Sequence, residues 1–109
     1  MLALSSAKIF ICHEPIDLRK GFEGLSFLVA SRFEINIIES GAYFVFMNKD
    51  RDRMKILYWD MDGLAIWYKR LEQGRFPSQS QQTGVIDRRR FLMLLEGIVP
   101  KRLHKRYSY

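Results

Sequence analysis

Residues 53–76 read RMKILYWDMDGLAIWYKRLEQGRF, and the fold turns on them. Two apolar, aromatic-rich runs flank the short polar segment Asp60-Met61-Asp62-Gly63. Each run ends in basic residues: Arg53 and Lys55 on one side, Lys69, Arg70 and Arg75 on the other. Two β-prone runs joined by a short loop ending in Asp-Gly predict a hairpin. Folding that hairpin brings its two basic ends together, at the end away from the turn.

Working outward, residues 43–47 (YFVFM) read as a strand and residues 48–52 (NKDRD) as a polar loop leading into the hairpin. The expected result is a three-stranded antiparallel meander. Its strands are apolar at nearly every position instead of alternating, which implies cover on both faces, from helices or from a partner. A domain this small has few elements with which to cover both. An exposed aromatic face, used for self-association or partner docking, is therefore the alternative. Trp59 and Trp67, on facing strands beside the turn, are the candidate partner-binding residues.

Upstream of the meander, residues 8–12 (KIFIC) are β-branched and aromatic and predict a strand, which His13-Glu14-Pro15 breaks. Asp17 suits a helix N-cap, because its carboxylate can accept from free backbone N–H groups. Leu18, Phe22, Leu25, Leu28 and Val29 follow at helical spacing, predicting a helix to about Phe33. Gly21 and Gly24 lie on adjacent turns of it and cost up to ~1 kcal/mol each against alanine, so they imply close approach of another backbone or a local kink. Residues 35–41 form a connection with no clear pattern.

Downstream, Gly74 and Pro77 end the meander, and residues 78–84 (SQSQQTG) read as a flexible surface loop. Asp87 suits a second N-cap. Phe91, Leu92, Leu94 and Leu95 then make a short amphipathic helix closed by Gly97. Pro100 precedes a basic aromatic tail, KRLHKRYSY, over residues 101–109. The expected architecture is α+β: one domain over residues 1–100, a three- to four-stranded antiparallel sheet packed on one main helix, then the short C-terminal helix and the tail.

The chain has 109 residues, 48% hydrophobic and 14% aromatic, which suits one folded domain with a modest core. No uncharged apolar run approaches the ~18 residues of a membrane span. The N-terminus lacks a basic region followed by a long apolar core, so no signal peptide is expected. A single cysteine, Cys12, forms no internal disulfide, and a cytoplasmic protein is the expectation. The net charge of +6 is uneven: residues 1–47 carry −1, residues 48–76 carry +2 and residues 77–109 carry +5. Such a gradient suits a polyanionic partner and equally a solvated surface charge that aids solubility.

Three motifs carry a family resemblance. Residues 55–76 (KILYWDMDGLAIWYKRLEQGRF) resemble the signature of the TnpB-type accessory protein, the second reading frame of bacterial three-gene insertion sequences. This is not the RNA-guided nuclease that shares the name. Residues 15–25 (PIDLRKGFEGL) resemble the opening motif of the same family, and residues 92–98 (LMLLEGI) its closing motif. The three stand in order, at fitting spacing, over nearly the whole chain. The resemblance implies a role in DNA transposition beside a separate catalytic transposase, and it implies no catalytic residue.

The basic segments are the candidate nucleic-acid contacts. Lys49, Arg51, Arg53 and Lys55 stand at odd positions on or beside a hairpin tip, a placement that suits a finger along a phosphate backbone. The competing reading is an ordinary polar loop, with Asp50 and Asp52 paired to the arginines. Arg19 and Lys20 fall in the expected first turn of the first helix, where cations oppose the helix dipole unless an anion binds there. A salt bridge to Glu23 or another carboxylate is the plainer account. Lys69, Arg70 and Arg75 close the hairpin. Arg88, Arg89 and Arg90 open the second helix. With Lys101, Arg102, Lys105 and Arg106 they form the densest positive charge, and Tyr107 and Tyr109 add rings suited to base stacking. A solvated terminus is the alternative there.

Asp60 and Asp62 invite comparison with nuclease metal sites, but acids two apart in a tight turn are commonly turn formers. A zinc site needs three or four ligands, and this chain has one Cys and two His. No metal, no cofactor and no enzymatic activity are expected. The expected function is a non-catalytic accessory factor in transposition that binds element DNA or supports the transposase on it. The alternative is a pure protein–protein adaptor working through an aromatic sheet face. Transposon-end DNA, the transposase and a second copy of the chain are the expected partners, and a membrane is not.

Overall fold

Every side chain of residues 43–47 is buried, and this strand is the middle of the sheet. The computed structural model describes residues 7–77 and 84–96. In chain order the elements are β1 (Ile9–Ile11), α1 (Phe22–Leu28) running on into a π-helical turn (Val29–Phe33), α2 (Ile37–Ser40), β2 (Tyr43–Met47), β3 (Arg53–Asp60), β4 (Gly63–Arg70), β5 (Gly84–Ile86) and α3 (Arg88–Glu96). The sheet has five strands in the order β4-β3-β2-β1-β5.

The meander β2-β3-β4 forms as the patterning requires, with Phe44 opposite Leu57 and Ile56 opposite Trp67. The rest of the sheet corrects the expectation of three to four antiparallel strands. β1 pairs with β2 in parallel, and β5 adds antiparallel to β1, so the sheet is mixed. The physical reason is the connection. Thirty-one residues holding the helices lie between Ile11 and Tyr43, a crossover that sets a strand parallel to its neighbour where a tight turn would reverse it. β5 is three residues long and opens on a glycine, too short to show any period.

Alternation then sends neighbouring side chains to opposite faces. Ile9, Ile11, Tyr43, Val45, Met47, Met54, Ile56 and Tyr58 form one buried cluster, covered by Phe76 and by Phe91 of α3. Phe44, Phe46 and Leu57 belong to the other, covered by Ile16, Leu18, Leu25, Leu28 and Val29. Phe33, in the π-helical turn, sets its ring against Phe10, Phe44 and Phe46 at centroid distances of 5.6, 5.4 and 6.4 Å. The all-apolar strands are thus explained by cover on both faces from the chain itself. Each fully buried large side chain contributes roughly 1.5–3 kcal/mol of burial.

The first helix departs from its expected start. It begins at Phe22, with Gly21 at its N-cap in an extended conformation, φ −100° and ψ −150°. Asp17 caps a separate turn: its carboxylate accepts from the Arg19 backbone N–H at 3.0 Å, and its carbonyl accepts from the Lys20 N–H at 3.2 Å. Leu18 is buried from that turn, and Phe22 of the expected apolar stripe is exposed. The close approach at Gly24 is to a side chain and not to another backbone, since a Cβ there would stand 3.0 Å from the Cβ of Lys20, and a Cβ at Gly21 would meet nothing within 4 Å. Within residues 35–41 lies α2, capped by Asn36, whose side chain accepts from the N–H groups of Ile38 and Glu39. Asp87 caps α3 as expected, accepting from the Arg90 N–H at 2.8 Å. The readings made for residues 78–83, Gly97, Pro100 and the tail lie outside the described residues.

One side chain organises the β2–β3 turn. Asn48 Oδ1 accepts from the N–H groups of Asp52 (3.1 Å) and Arg53 (3.0 Å), while Nδ2 donates to Asp52 Oδ1 at 2.6 Å. The same turn is stitched to the chain leaving β4, for its carbonyls at Asp52 and Arg51 accept from the N–H groups of Leu71 and Phe76. Asn48→Ala strands one partly buried N–H group, that of Asp52, and leaves the exposed Arg53 N–H to water, so a loss of about 1–3 kcal/mol is expected in urea unfolding. A loss below ~0.5 kcal/mol would show that the turn holds without this side chain.

Candidate nucleic-acid interface

After β1 the chain keeps running beside β2: the Cys12 N–H donates to the Val45 carbonyl at 3.0 Å and the Ile16 N–H to the Met47 carbonyl at 2.9 Å. This track sets residues 15–19 next to the Asn48 turn. Between them opens a cleft of about 580 Å³, lined in part by Ile16, Leu18, Arg19, Lys49, Arg53 and Tyr68. Its polar contributors come from three separate stretches of chain: the Asp17 turn, the β2–β3 turn and the open end of the β3–β4 hairpin.

The hairpin register sets the charge at that open end. Arg53 stands directly opposite Arg70, and Lys55 opposite Tyr68. All four share the face of Leu57, the face that carries α1. Like charges directly opposite each other across strands are destabilising. Arg70 is partly relieved by Glu72, its Nε donating to the carboxylate at 3.1 Å. Among the described residues no ion pair joins Arg53 to a carboxylate. Lys55 leans inward: its ammonium donates to the Lys20 carbonyl at 3.0 Å and lies 5.2 Å from the Tyr68 ring centroid.

Two carboxylates also border the cleft, Asp17 and Asp50. Asp17 is engaged by Arg19, whose Nη2 and Nε reach its oxygens at 2.7 and 3.1 Å. The hydrogen bonds from the Arg19 side chain and backbone hold the Asp17 carboxyl well below the usual carboxylate range, and the same bond raises the Arg19 guanidinium. A carboxylate with a depressed pKa keeps its pairing at every pH above its unfolded value. Its contribution to stability is therefore full above the ordinary carboxylate range and is lost as pH falls from there toward the lowered folded value, through which the contact itself breaks. The Arg19 side chain is 90% exposed, and exposed pairs are worth about 0–1 kcal/mol, so an incoming phosphate can exchange for the carboxylate.

The placement of Arg19 and Lys20 corrects the helix-terminus reading. Both precede α1, so neither meets the first turn of that helix, and the plainer account, a salt bridge to a nearby carboxylate, holds for Arg19. Lys49, Arg53 and Lys55 come to or beside the cleft. Arg51 does not line it: it sits partly buried in the turn with φ 57°. Lys69 is opposite Met54, on the other face of the sheet, and Arg75 is not among the residues that line the cleft. Arg88, Arg89 and Arg90 open α3, which packs through Phe91 on that other face as well. Lys101, Arg102, Lys105 and Arg106 lie outside the described residues. Trp59 and Trp67 are not brought together. Trp67 packs beside Ile56 on one face, while Trp59 pairs with Leu64 on the other and donates from its indole to the Met61 carbonyl at 3.1 Å. Tyr68 was missed, although the hairpin register alone places it opposite Lys55.

Asp60 and Asp62 stand at the closed tip of the hairpin, with the Asp62 N–H donating to the Asp60 carbonyl and Met61 between them at φ 57°. Among the described residues no three His, Cys, Asp or Glu side chains gather into a set that could hold a metal ion. Among them, too, no helix is long and apolar enough to cross a membrane.

With that geometry in view, comparison with known proteins gives the class. A family model described as "IS66 Orf2 like protein" matches residues 7–105. The chain belongs to that family, whose members are transposition-associated accessory proteins of insertion sequences and not a known catalytic family. It is similar to the uncharacterized protein y4jC of Sinorhizobium fredii, 38% identical over 69 residues, which cover 63% of this chain and 58% of that protein. It is also similar to the uncharacterized protein y4hO of the same organism, 30% identical over 81 residues, covering 74% of this chain and 70% of that one. The chain thus spans a little over half the length of the first relative. No solved structure matches it.

If Asp17 competes with an external anion for Arg19, removing its charge while keeping its turn-closing acceptor should strengthen binding. Asp17→Asn is expected to raise affinity for a DNA oligonucleotide by a few-fold in a fluorescence anisotropy titration and to steepen the salt dependence. Unchanged or weakened binding would mean that Arg19 does not meet the nucleic acid.

Proposed function

We propose that this protein is a non-catalytic accessory factor in DNA transposition that holds element DNA by its phosphate backbone at the cleft of Arg19, Lys49 and Arg53, with Arg70 opposite Arg53 beside it. The observation that carries the reading is the Arg53–Arg70 cross-strand pair. Folding sets two arginines at directly opposed positions, one on the edge strand and leaning on Glu72, and a phosphate between them would accept a charge-assisted hydrogen bond from each. Lys49 and Arg19 flank the same opening. By retaining DNA without cutting it, the protein would serve a separate transposase, the partner that its family makes natural.

The adaptor reading has less to stand on. Tyr43, Phe44, Phe46 and Tyr58 are buried within the chain's own core, and the two tryptophans point to opposite faces. The arginines of α3 form a second basic surface, facing away from the cleft. Their contacts would fall on a different stretch of a long DNA.

Binding to duplex DNA over a salt series tests the reading. Four neutralised phosphates predict a slope of log affinity against log salt of roughly −3.6. Arg53→Gln with Arg70→Gln should weaken binding and make the slope shallower by about 1.8, two phosphate contacts' worth. Neutralising Arg88, Arg89 and Arg90 should matter for long duplexes and not for an oligonucleotide that fills only the cleft. Full affinity and an unchanged slope in the Arg53/Arg70 double variant would remove the cleft from the mechanism.

A further inference from the structure

Phosphate binding makes no use of Tyr68. This tyrosine is 51% exposed on the edge strand β4, yet it lines the cleft beside Arg53 and Lys49. The Lys55 ammonium lies against its ring at 5.2 Å, a cation–π contact that also fixes the ring's position. The lining also includes two largely buried apolar side chains, Ile16 and Leu18. An aromatic platform, two apolar side chains and three cations around one concave opening make a site of mixed character. A volume of about 580 Å³ falls within the range of pockets that take small organic ligands.

We propose that the cleft takes an unpaired nucleotide of single-stranded DNA, its base stacked on Tyr68 and its flanking phosphates held by Arg53, Lys49 and Arg19. This rests on the phosphate reading above and sharpens it, by naming the strand state that is bound. A base inside a duplex is stacked on its neighbours and offers no free face, whereas an unpaired base does. Single-strand binders combine the two features seen here, a positive groove for the backbone and a ring for the base. The charge balance agrees. The lining holds three cations and two carboxylates, an excess of one positive charge, and with the Arg19–Asp17 pair cancelled Lys49 and Arg53 stand against Asp50.

The test compares three probes: an oligothymidylate of about twelve nucleotides, a strand of the same length carrying abasic sites, and a duplex of equal length. The single strand is expected to bind at least about tenfold more tightly than the duplex. Tyr68→Ala should lower affinity for it by roughly tenfold, the worth of one stacked base, while Tyr68→Phe restores binding. On the abasic strand Tyr68→Ala should change nothing, because the base it serves is missing. Circular dichroism of both variants checks that the fold is kept. Equal or tighter binding of the duplex, or the same loss on the abasic strand, overturns the proposal. If the duplex binds with dependence on Arg53 and Arg70 while Tyr68 is silent, the phosphate reading stands and the nucleotide proposal falls. If none of the probes binds, both fall.

Discussion

A strand whose five side chains are all buried can exist only between two neighbours and under cover on both faces. β2 is such a strand, and the rest of the molecule answers that constraint. β3 follows it by a tight turn and supplies one neighbour. The other has to come from elsewhere in the chain, and β1 supplies it in parallel, after which the crossover helices fall on the face of Phe44 and Phe46. The opposite face is closed by Phe76 and Phe91, carried in by chain that follows the meander. Truncating a core aromatic such as Phe44 to alanine therefore removes a contact shared by strand and helix layers, a loss of order 3–5 kcal/mol.

The cleft is a by-product of the same arrangement. Because the chain leaving β1 continues beside β2 as far as Ile16, the Asp17 turn arrives at the β2–β3 turn and cannot be elsewhere. Asn48 rigidifies one wall, the Asp17–Arg19 contact the other, and the Lys55 ammonium ties the Lys20 carbonyl to the sheet. Three basic segments that are distant in sequence thus meet over the open end of one hairpin. Opposed arginines at that end are destabilising to the fold. The hairpin's closed tip, with Asp60 and Asp62, lies at the other end of the same strands.

How much of this was legible depended on the range of the interaction. The hairpin, its turn and the meeting of its basic ends followed from local pattern, as did the Asp87 cap and the need for cover on both faces. The parallel pairing of β1 did not, since nothing in KIFIC records which neighbour it will find. β5 escaped because three residues carry no period. The helix start was misplaced because Asp17 is as good a cap for an isolated turn as for a helix, and only the extended Gly21 separates the two. Tyr68 was within reach: once Asp60 is paired with Gly63, simple counting puts Tyr68 beside Lys55 and Arg70 opposite Arg53. It was passed over because an aromatic in an apolar strand reads as core, and only the edge position of β4 exposes it.

The central claim is that residues from the Asp17 turn, the Asn48 turn and the hairpin's open end act as one phosphate-binding surface. Amide chemical-shift mapping by NMR, during titration with a short DNA oligonucleotide, tests it most directly. The account predicts perturbations grouped at residues 16–20, 48–55 and 67–70, moving together with a single affinity, while residues 88–93 stay still. Perturbations confined to α3, or the three cleft segments responding with different affinities, would contradict it.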